Sequence, residues 1–145
     1  MISDLKIGQV LWLKVKYQID KISDIKHPML IADIHDEYIE VIALDKTAGK
    51  LQNLYRPYNW YINYDEPKEY VIYEDSYAQF NTKLTIENFK ELVKARKTDK
   101  TLSKNKLDEL LNEYHMYQKE NKIYEERIVY MSKEDIINLN PDLSR

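Results

Sequence analysis

Three apolar runs lie close together near the start of the chain, and they constrain its fold more than any other feature. They are residues 8–15, 27–33 and 38–44. In the first run Leu11, Leu13 and Val15 share one face, and the residues between them are also partly apolar, which is typical of a barrel strand. The second and third runs predict a β-hairpin that turns at residues 35–37.

Composition limits the classes of protein to which the chain can belong. Its 145 residues have the usual size of one domain, so we expect residues 1–145 to form a single domain. The lack of cysteine excludes disulfides, thiolate nucleophiles and cysteine-based metal centres, and it suits a reducing cytosol. We expect a soluble, cytoplasmic protein with no membrane partner, because no run approaches about 20 apolar residues and no signal peptide is evident.

The charge of the chain restricts how it could bind nucleic acid. A net charge of -3 gives no global attraction to RNA or DNA, so binding would require a local basic patch. Seven basic residues do cluster within a short segment: Lys90, Lys94, Arg96, Lys97, Lys100, Lys104 and Lys106. This run is either the solvated face of a helix or an RNA-binding surface, on which Lys90, Lys94 and Lys97 would make the contacts.

The middle of the chain is rich in aromatic residues. Residues 51–73 contain many tyrosines and are interrupted by Pro57 and Pro67, which favours irregular structure or an edge strand over helix. Arg56, Tyr58 and Trp60 are candidate RNA contacts, since aromatic rings can stack on bases. The alternative is that these rings cover the sheet while their polar groups face water.

The C-terminal half predicts helices and one further strand. Helical spacing predicts one helix after Thr85 and a second from near Ser103 to about Asn121. A late strand is predicted at residues 128–131, followed by a short helix with Ser132 at its N-terminal cap.

The order of these segments resembles the MazF/PemK family of toxins. The resemblance rests on Gly8 before the first strand, Pro28 at the start of the second, and the loop at residues 45–50. Residues 75–80 and 84–86 are similar to the late strand of the family, and 102–107 to the start of its C-terminal helix. The likeness spans about residues 5–114. It implies an α+β fold: an SH3-like, mostly antiparallel β-barrel at about 5–85, helices at 86–121, and a C-terminal extension at 122–145.

The resemblance also implies an activity. Members of this family are ribosome-independent endoribonucleases that cleave single-stranded RNA without metal or other cofactor. They are usually homodimers, and an antitoxin protein inhibits them; no DNA partner is expected for this chain alone. The reaction needs one group to deprotonate the 2′-hydroxyl, a cation to stabilise the phosphorane, and one group to protonate the leaving 5′-oxygen.

The resemblance assigns two site residues, and proximity adds three. His27 stands where the family has an arginine before proline, and Thr47 matches its catalytic hydroxyl. Lys26, Asp45 and Lys46 are proposed because they lie next to those positions. A histidine can act as acid, base or cation, but it is not a permanently charged phosphate clamp. His27 could instead only form a hydrogen bond in a loop before proline.

The missing arginine keeps other interpretations open. The chain could be a non-catalytic barrel module that binds RNA or protein, and its last residues, 118–145, could serve docking or dimerisation. One further cluster is typical of a metal site: Asp33, His35, Asp36 and Glu37. A hairpin turn in water explains that cluster more simply, so we predict no metal.

Overall fold

The computed structural model describes residues 4–19, 21–64 and 71–145. Its strands are β1 (Val10–Leu13), β2 (Lys16–Gln18), β3 (Lys21–Ile22), β4 (His27–Ile34), β5 (Tyr38–Lys46), β6 (Asn59–Ile62), β7 (Ser76–Gln79), β8 (Lys83–Glu87) and β9 (Ile128–Met131). Its α-helices are α1 (Lys104–Glu120) and α2 (Lys133–Leu139), and four 3₁₀ helices lie at Leu51–Tyr55, Lys90–Ala95, Glu125–Arg127 and Pro141–Ser144.

The long strand β5 organises the sheet. Its first half pairs with β8 and its second half with β7, while β4 runs along its other edge. The main sheet has the order β1-β4-β5-β7-β6, and β8 and β9 branch from β5. Among the described strands, the pairings are antiparallel except that of β8 with β9.

The fold is therefore α+β, with a mostly antiparallel sheet and C-terminal helices, as predicted. Among the residues described, the strand ladders do not close on themselves, so the SH3-like barrel stays a prediction.

Two apolar cores lie on opposite faces of the strands. Side chains alternate along a strand, so Met29 and Ile31 of β4 enter the first core while Leu30 and Ala32 enter the second. Burial on both faces explains why the strands read as nearly continuous apolar runs. Helix α1 covers the second core with Leu110 and the fully buried Tyr114, among others.

The C-terminal segment is part of the first core. Val129, Met131, Ile136 and Leu143 are all buried there. The side chain of Asn140 accepts a hydrogen bond from Lys14 N at 2.8 Å and donates one to Lys14 O at 2.9 Å. These contacts attach residues 122–145 to the edge of β1.

Several local predictions are confirmed. The hairpin β4–β5 turns at residues 35–37, and the strand at 128–131 is present. Helix α1 has Ser103 as its N-cap residue and Asn121 as its C-cap residue, as the spacing predicted. Ser132 and Asp135 form the reciprocal capping box at the start of α2.

The prediction of a helix after Thr85 is wrong. Thr85 lies in the middle of β8, where Leu84 and Ile86 are completely buried and pair with β5. The two-residue period of these apolar side chains outweighs the weak helical spacing that follows. The basic segment after it begins with a short 3₁₀ helix, Lys90–Ala95.

Gly8 has a backbone conformation that explains why the first strand begins there. Its φ of +93° lies in the left-handed region, and a Cβ atom at this position would lie 2.6 Å from Leu107 Cδ2. Its carbonyl accepts a hydrogen bond from Leu102 N, and its N–H donates to Ile31 O. Glycine therefore lets the chain pass close under α1 as it enters β1.

No helix among the residues described is long and apolar enough to cross a membrane.

Candidate functional site

Two adjoining clefts lie where β4 begins and β5 ends, and they share a wall formed by Ile25, His27 and Asp45. The first, which we call the hairpin cleft, has a volume of about 450 Å³ and lies beside the β2–β3 hairpin. The second, the lysine cleft, has a volume of about 230 Å³. The lining of the lysine cleft includes Trp12, Lys26, Lys46, Lys50 and Tyr73.

The strand register explains why these residues meet. Asp45 of β5 pairs with Tyr77 of β7, and His27 and Asp45 each lie two positions beyond Met29 and Ala43, the pair at which the β4–β5 ladder ends. Side chains two positions apart lie on the same face of a strand, so the imidazole of His27, the carboxylate of Asp45 and the phenol of Tyr77 belong to one face of the strands.

The carboxylate of Asp45 is the centre of a hydrogen-bond network. Its Oδ2 accepts from Lys50 Nζ at 2.8 Å and from the Tyr77 hydroxyl at 3.2 Å, while Oδ1 accepts from Lys46 N at 2.8 Å. The Tyr77 hydroxyl in turn accepts from Asn53 Nδ2 at 3.0 Å. Because both oxygens of Asp45 are occupied, this carboxylate is better suited to positioning than to proton transfer.

Two pKa shifts fix the protonation of this network. The hydrogen bond to Asp45 raises the pKa of Lys50, which therefore stays a cation well above neutral pH. Burial raises the pKa of Tyr77, which therefore stays a neutral hydrogen-bond donor. Histidine is the side chain that most often transfers protons in enzymes, and His27 is the histidine of the shared wall, so it is the candidate for proton transfer.

The other lysines of the cleft differ in their partners. Lys26 Nζ forms an ion pair with Asp142 Oδ2 at 2.8 Å, and both side chains are about half exposed. This ion pair links the loop before β4 to the C-terminal 3₁₀ helix. Lys46 is exposed at the end of β5. Four of the five predicted catalytic residues, His27, Lys26, Asp45 and Lys46, thus line one cleft.

The fifth predicted catalytic residue, Thr47, lies off both clefts. It is buried, and its hydroxyl donates to Asp75 O at 3.3 Å, the same carbonyl that accepts from Thr47 N at 3.0 Å. In this conformation the hydroxyl serves to attach β5 to the start of β7.

The aromatic RNA-binding candidates lie elsewhere. Trp60 of β6 stacks on Phe80, with ring centroids 6.2 Å apart, and packs against the second core. Tyr58 is half-buried, and its carbonyl accepts from Phe80 N. Arg56 is exposed at the C-terminal cap of the 3₁₀ helix Leu51–Tyr55. None of the three lines either cleft of the described structure.

The three lysine candidates separate from one another. Lys90 is exposed at the start of its 3₁₀ helix. Lys94 Nζ donates to Leu143 O at 3.2 Å and to Arg145 O at 2.9 Å, so it holds the C-terminal segment. Lys97 Nζ lies 3.9 Å from the ring centroid of Trp12 and 5.6 Å from that of Tyr73, and both rings line the lysine cleft. The basic run is therefore not one surface.

Sequence reasoning did not select Lys50 and Tyr77 as site residues. Lys50 could have been selected from the sequence, since it lies five positions after Asp45 in the loop at residues 45–50. Tyr77 could not, because its contact with Asp45 depends on the pairing of β5 with β7. At the hairpin tip, His35 Nε2 lies 3.1 Å from Asp33 Oδ2, and the described residues contain no group of three potential metal ligands.

Comparison with family models, curated proteins and solved structures finds no match to this chain.

Proposed function

We propose that the protein is a toxin-like endoribonuclease that cleaves single-stranded RNA with His27 at its reaction centre. One observation carries the proposal. His27 stands in a wall between two clefts, next to a carboxylate that holds a lysine and a tyrosine in place. A strand of RNA crossing this wall would present a phosphate to the imidazole, with one neighbouring nucleotide on each side.

In the proposed reaction, His27 accepts the proton of the ribose 2′-hydroxyl as general base. The 2′-oxygen attacks the adjacent phosphorus, and the bond from phosphorus to the 5′-oxygen breaks, which gives a 2′,3′-cyclic phosphate and a 5′-hydroxyl. The ammonium groups of Lys46 and Lys50 stabilise the phosphorane, and Lys46 supplies the proton to the leaving oxygen. Asp45 is a positioning residue that holds Lys50.

These roles differ from those that the family resemblance implies. Thr47 has no role in the proposed mechanism, because its hydroxyl is bonded to a backbone carbonyl. Lysines replace the family's arginine, and they act as point charges rather than as a bidentate clamp. The SH3-like barrel, the homodimer and the antitoxin partner stay predictions within this proposal.

The proposal is tested by incubating the purified protein with a long unstructured RNA in excess EDTA and mapping the new 5′ ends. We expect discrete cuts that His27→Ala reduces by about 10²- to 10⁴-fold, the usual contribution of a general base. The matched control is His35→Ala, which removes the exposed histidine at the hairpin tip and should leave the cuts unchanged.

Equal loss of cleavage in both histidine variants would contradict the assignment of His27. Intact RNA from a folded sample would favour the non-catalytic binding module instead. That module predicts salt-dependent retention of RNA, and neutralising Lys90 and Lys97 would test whether the basic segment supports it.

A further inference from the structure

We propose that Trp12, Tyr73 and Lys97 bind one nucleotide next to the scissile phosphate: its base stacks on Tyr73 and its phosphate pairs with Lys97. This inference rests on the proposed function, since it names how the substrate lies in the lysine cleft. We call these three side chains the aromatic shelf.

The two rings of the aromatic shelf lie close together. Trp12 pairs with Pro28 across β1 and β4, and although its side chain lies on the opposite face from that of His27, both residues line the lysine cleft. The Tyr73 ring lies 6.3 Å from Trp12, tilted by 30°, and its side chain is 55% exposed. An exposed ring backed by a second ring, in a cleft that reaches the reaction centre, offers a face on which any base can stack.

The aromatic shelf lies in a cleft that is lined by lysines. Lys97 follows the 3₁₀ helix Lys90–Ala95 and is distant in sequence from Trp12. Its ammonium nonetheless lies over the Trp12 ring. Lys26, Lys46 and Lys50 line the same cleft. Aromatic faces among cations are the combination that binds single-stranded nucleic acid, in which stacking holds the bases and ammonium groups follow the backbone.

The two clefts differ in the charged residues that line them. Each cleft has one acidic residue of its own, Asp24 in the hairpin cleft and Glu74 in the lysine cleft, but among the described residues lysines line only the lysine cleft of the two. The backbone phosphate that adjoins the scissile one should therefore lie on the lysine side. This places the stacked nucleotide on the aromatic shelf and leaves the nucleotide on the other side to the hairpin cleft.

Binding can be measured apart from cleavage. The probe is a mixed-sequence oligoribonucleotide with 2′-fluoro ribose, which lacks the attacking hydroxyl. The chain has two tryptophans, so a Trp60→Phe background leaves Trp12 as the reporter. We expect the probe to quench Trp12 fluorescence, and we expect Tyr73→Ala to weaken binding by about 5- to 150-fold, the usual loss of one stacked base.

Matched variants sharpen the test. Tyr73→Phe keeps the ring and should bind like the parent, and Tyr55→Ala removes a tyrosine that is 88% exposed outside the cleft and should do the same. Lys97→Gln should lower the slope of log affinity against log salt by about 0.7, the value for one phosphate contact on a single strand, whereas Lys90→Gln should not.

Unchanged affinity in Tyr73→Ala, or equal salt slopes for Lys97→Gln and Lys90→Gln, would overturn the aromatic shelf. If the variants change binding as predicted but the protein never cuts RNA, the aromatic shelf is supported and the proposed nuclease activity is refuted. If the protein cuts RNA and neither binding nor cleavage changes in Tyr73→Ala and Lys97→Gln, the aromatic shelf is refuted and the nuclease proposal is not.

Discussion

Replacing Tyr77 with phenylalanine tests the network that holds the site. The substitution removes one hydroxyl, which donates to Asp45 and accepts from Asn53. A hydrogen bond to a charged group contributes about 1.5–3 kcal/mol to folding. The bond to Asp45 is 3.2 Å long, at the weak end of the range, and the half-buried Asn53 can recover a water. We therefore expect the free energy of unfolding to fall by about 1.5 kcal/mol.

The assay is denaturant unfolding, in which the midpoint should move while the slope stays constant. The matched control is Tyr61→Phe, which removes a hydroxyl from the residue paired with Tyr77 on β6. The Tyr61 hydroxyl donates to Asp75 at 2.9 Å, but its side chain is 45% exposed, so water replaces the bond and the cost should stay within about 0.5 kcal/mol. Equal costs for the two variants would refute the reasoning.

The same variant makes a pH prediction. Burial raises the pKa of Tyr77 above its ordinary value of 10.0. A group whose pKa is raised on folding gives its full stabilisation below the unfolded value, and that stabilisation is lost as the pH rises through the folded value. The stability difference between the wild type and Tyr77→Phe should therefore be constant up to about pH 10 and shrink above it. A difference that grows with pH above 10 would contradict this account.

Three further predictions concern the scaffold. Gly8→Ala should lower the free energy of unfolding by about 2–5 kcal/mol, because the added methyl group clashes with Leu107 and the left-handed backbone is strained. Gly49 has the same left-handed backbone but open space around it, so Gly49→Ala should cost only about 1–2 kcal/mol. Equal costs in urea unfolding would be inconsistent with the close contact at Gly8. Ile136→Ala should cost about 2–5 kcal/mol if residues 122–145 belong to the core, and a change below about 0.5 kcal/mol would show that they do not. The hydrogen bond from Lys26 lowers the pKa of Asp142 below its ordinary 3.8, so the ion pair stabilises the fold above that pH, and this stabilisation is lost as the pH falls below it. In Asp142→Asn the free energy of unfolding should therefore fall less steeply with pH in that range. An unchanged dependence on pH would contradict the ion pair.

Local signals in the sequence were enough to predict many elements of the fold. The hairpin β4–β5, helix α1 and the capping box of α2 each depend on residues close together in the chain. The error after Thr85 arose where two periodicities overlapped. The burial of Leu84 and Ile86 is set by their pairing with β5, which lies about 45 positions earlier in the chain, so local spacing could not decide between strand and helix.

The candidate site likewise contains some residues that the sequence predicts and others that depend on contacts between distant segments. Lys26, His27, Asp45 and Lys46 could be selected because they lie next to Pro28 or in the loop at residues 45–50, both of which are visible in the sequence. The contact of Tyr77 with Asp45 depends on strand pairing, and the approach of Lys97 to Trp12 depends on how the segment after β8 folds back. Such contacts become visible only in the structure.

The most direct test of the proposed chemistry is to identify the ends that cleavage leaves. Fragments of an RNA cut in EDTA would be analysed by mass spectrometry, together with fragments of the same strand carrying 2′-deoxyribose at the mapped cut. We predict 2′,3′-cyclic phosphate and 5′-hydroxyl ends on the RNA, and no cut at the substituted position. A cut at the 2′-deoxy position, or 5′-phosphate ends, would contradict a mechanism in which His27 activates the 2′-hydroxyl.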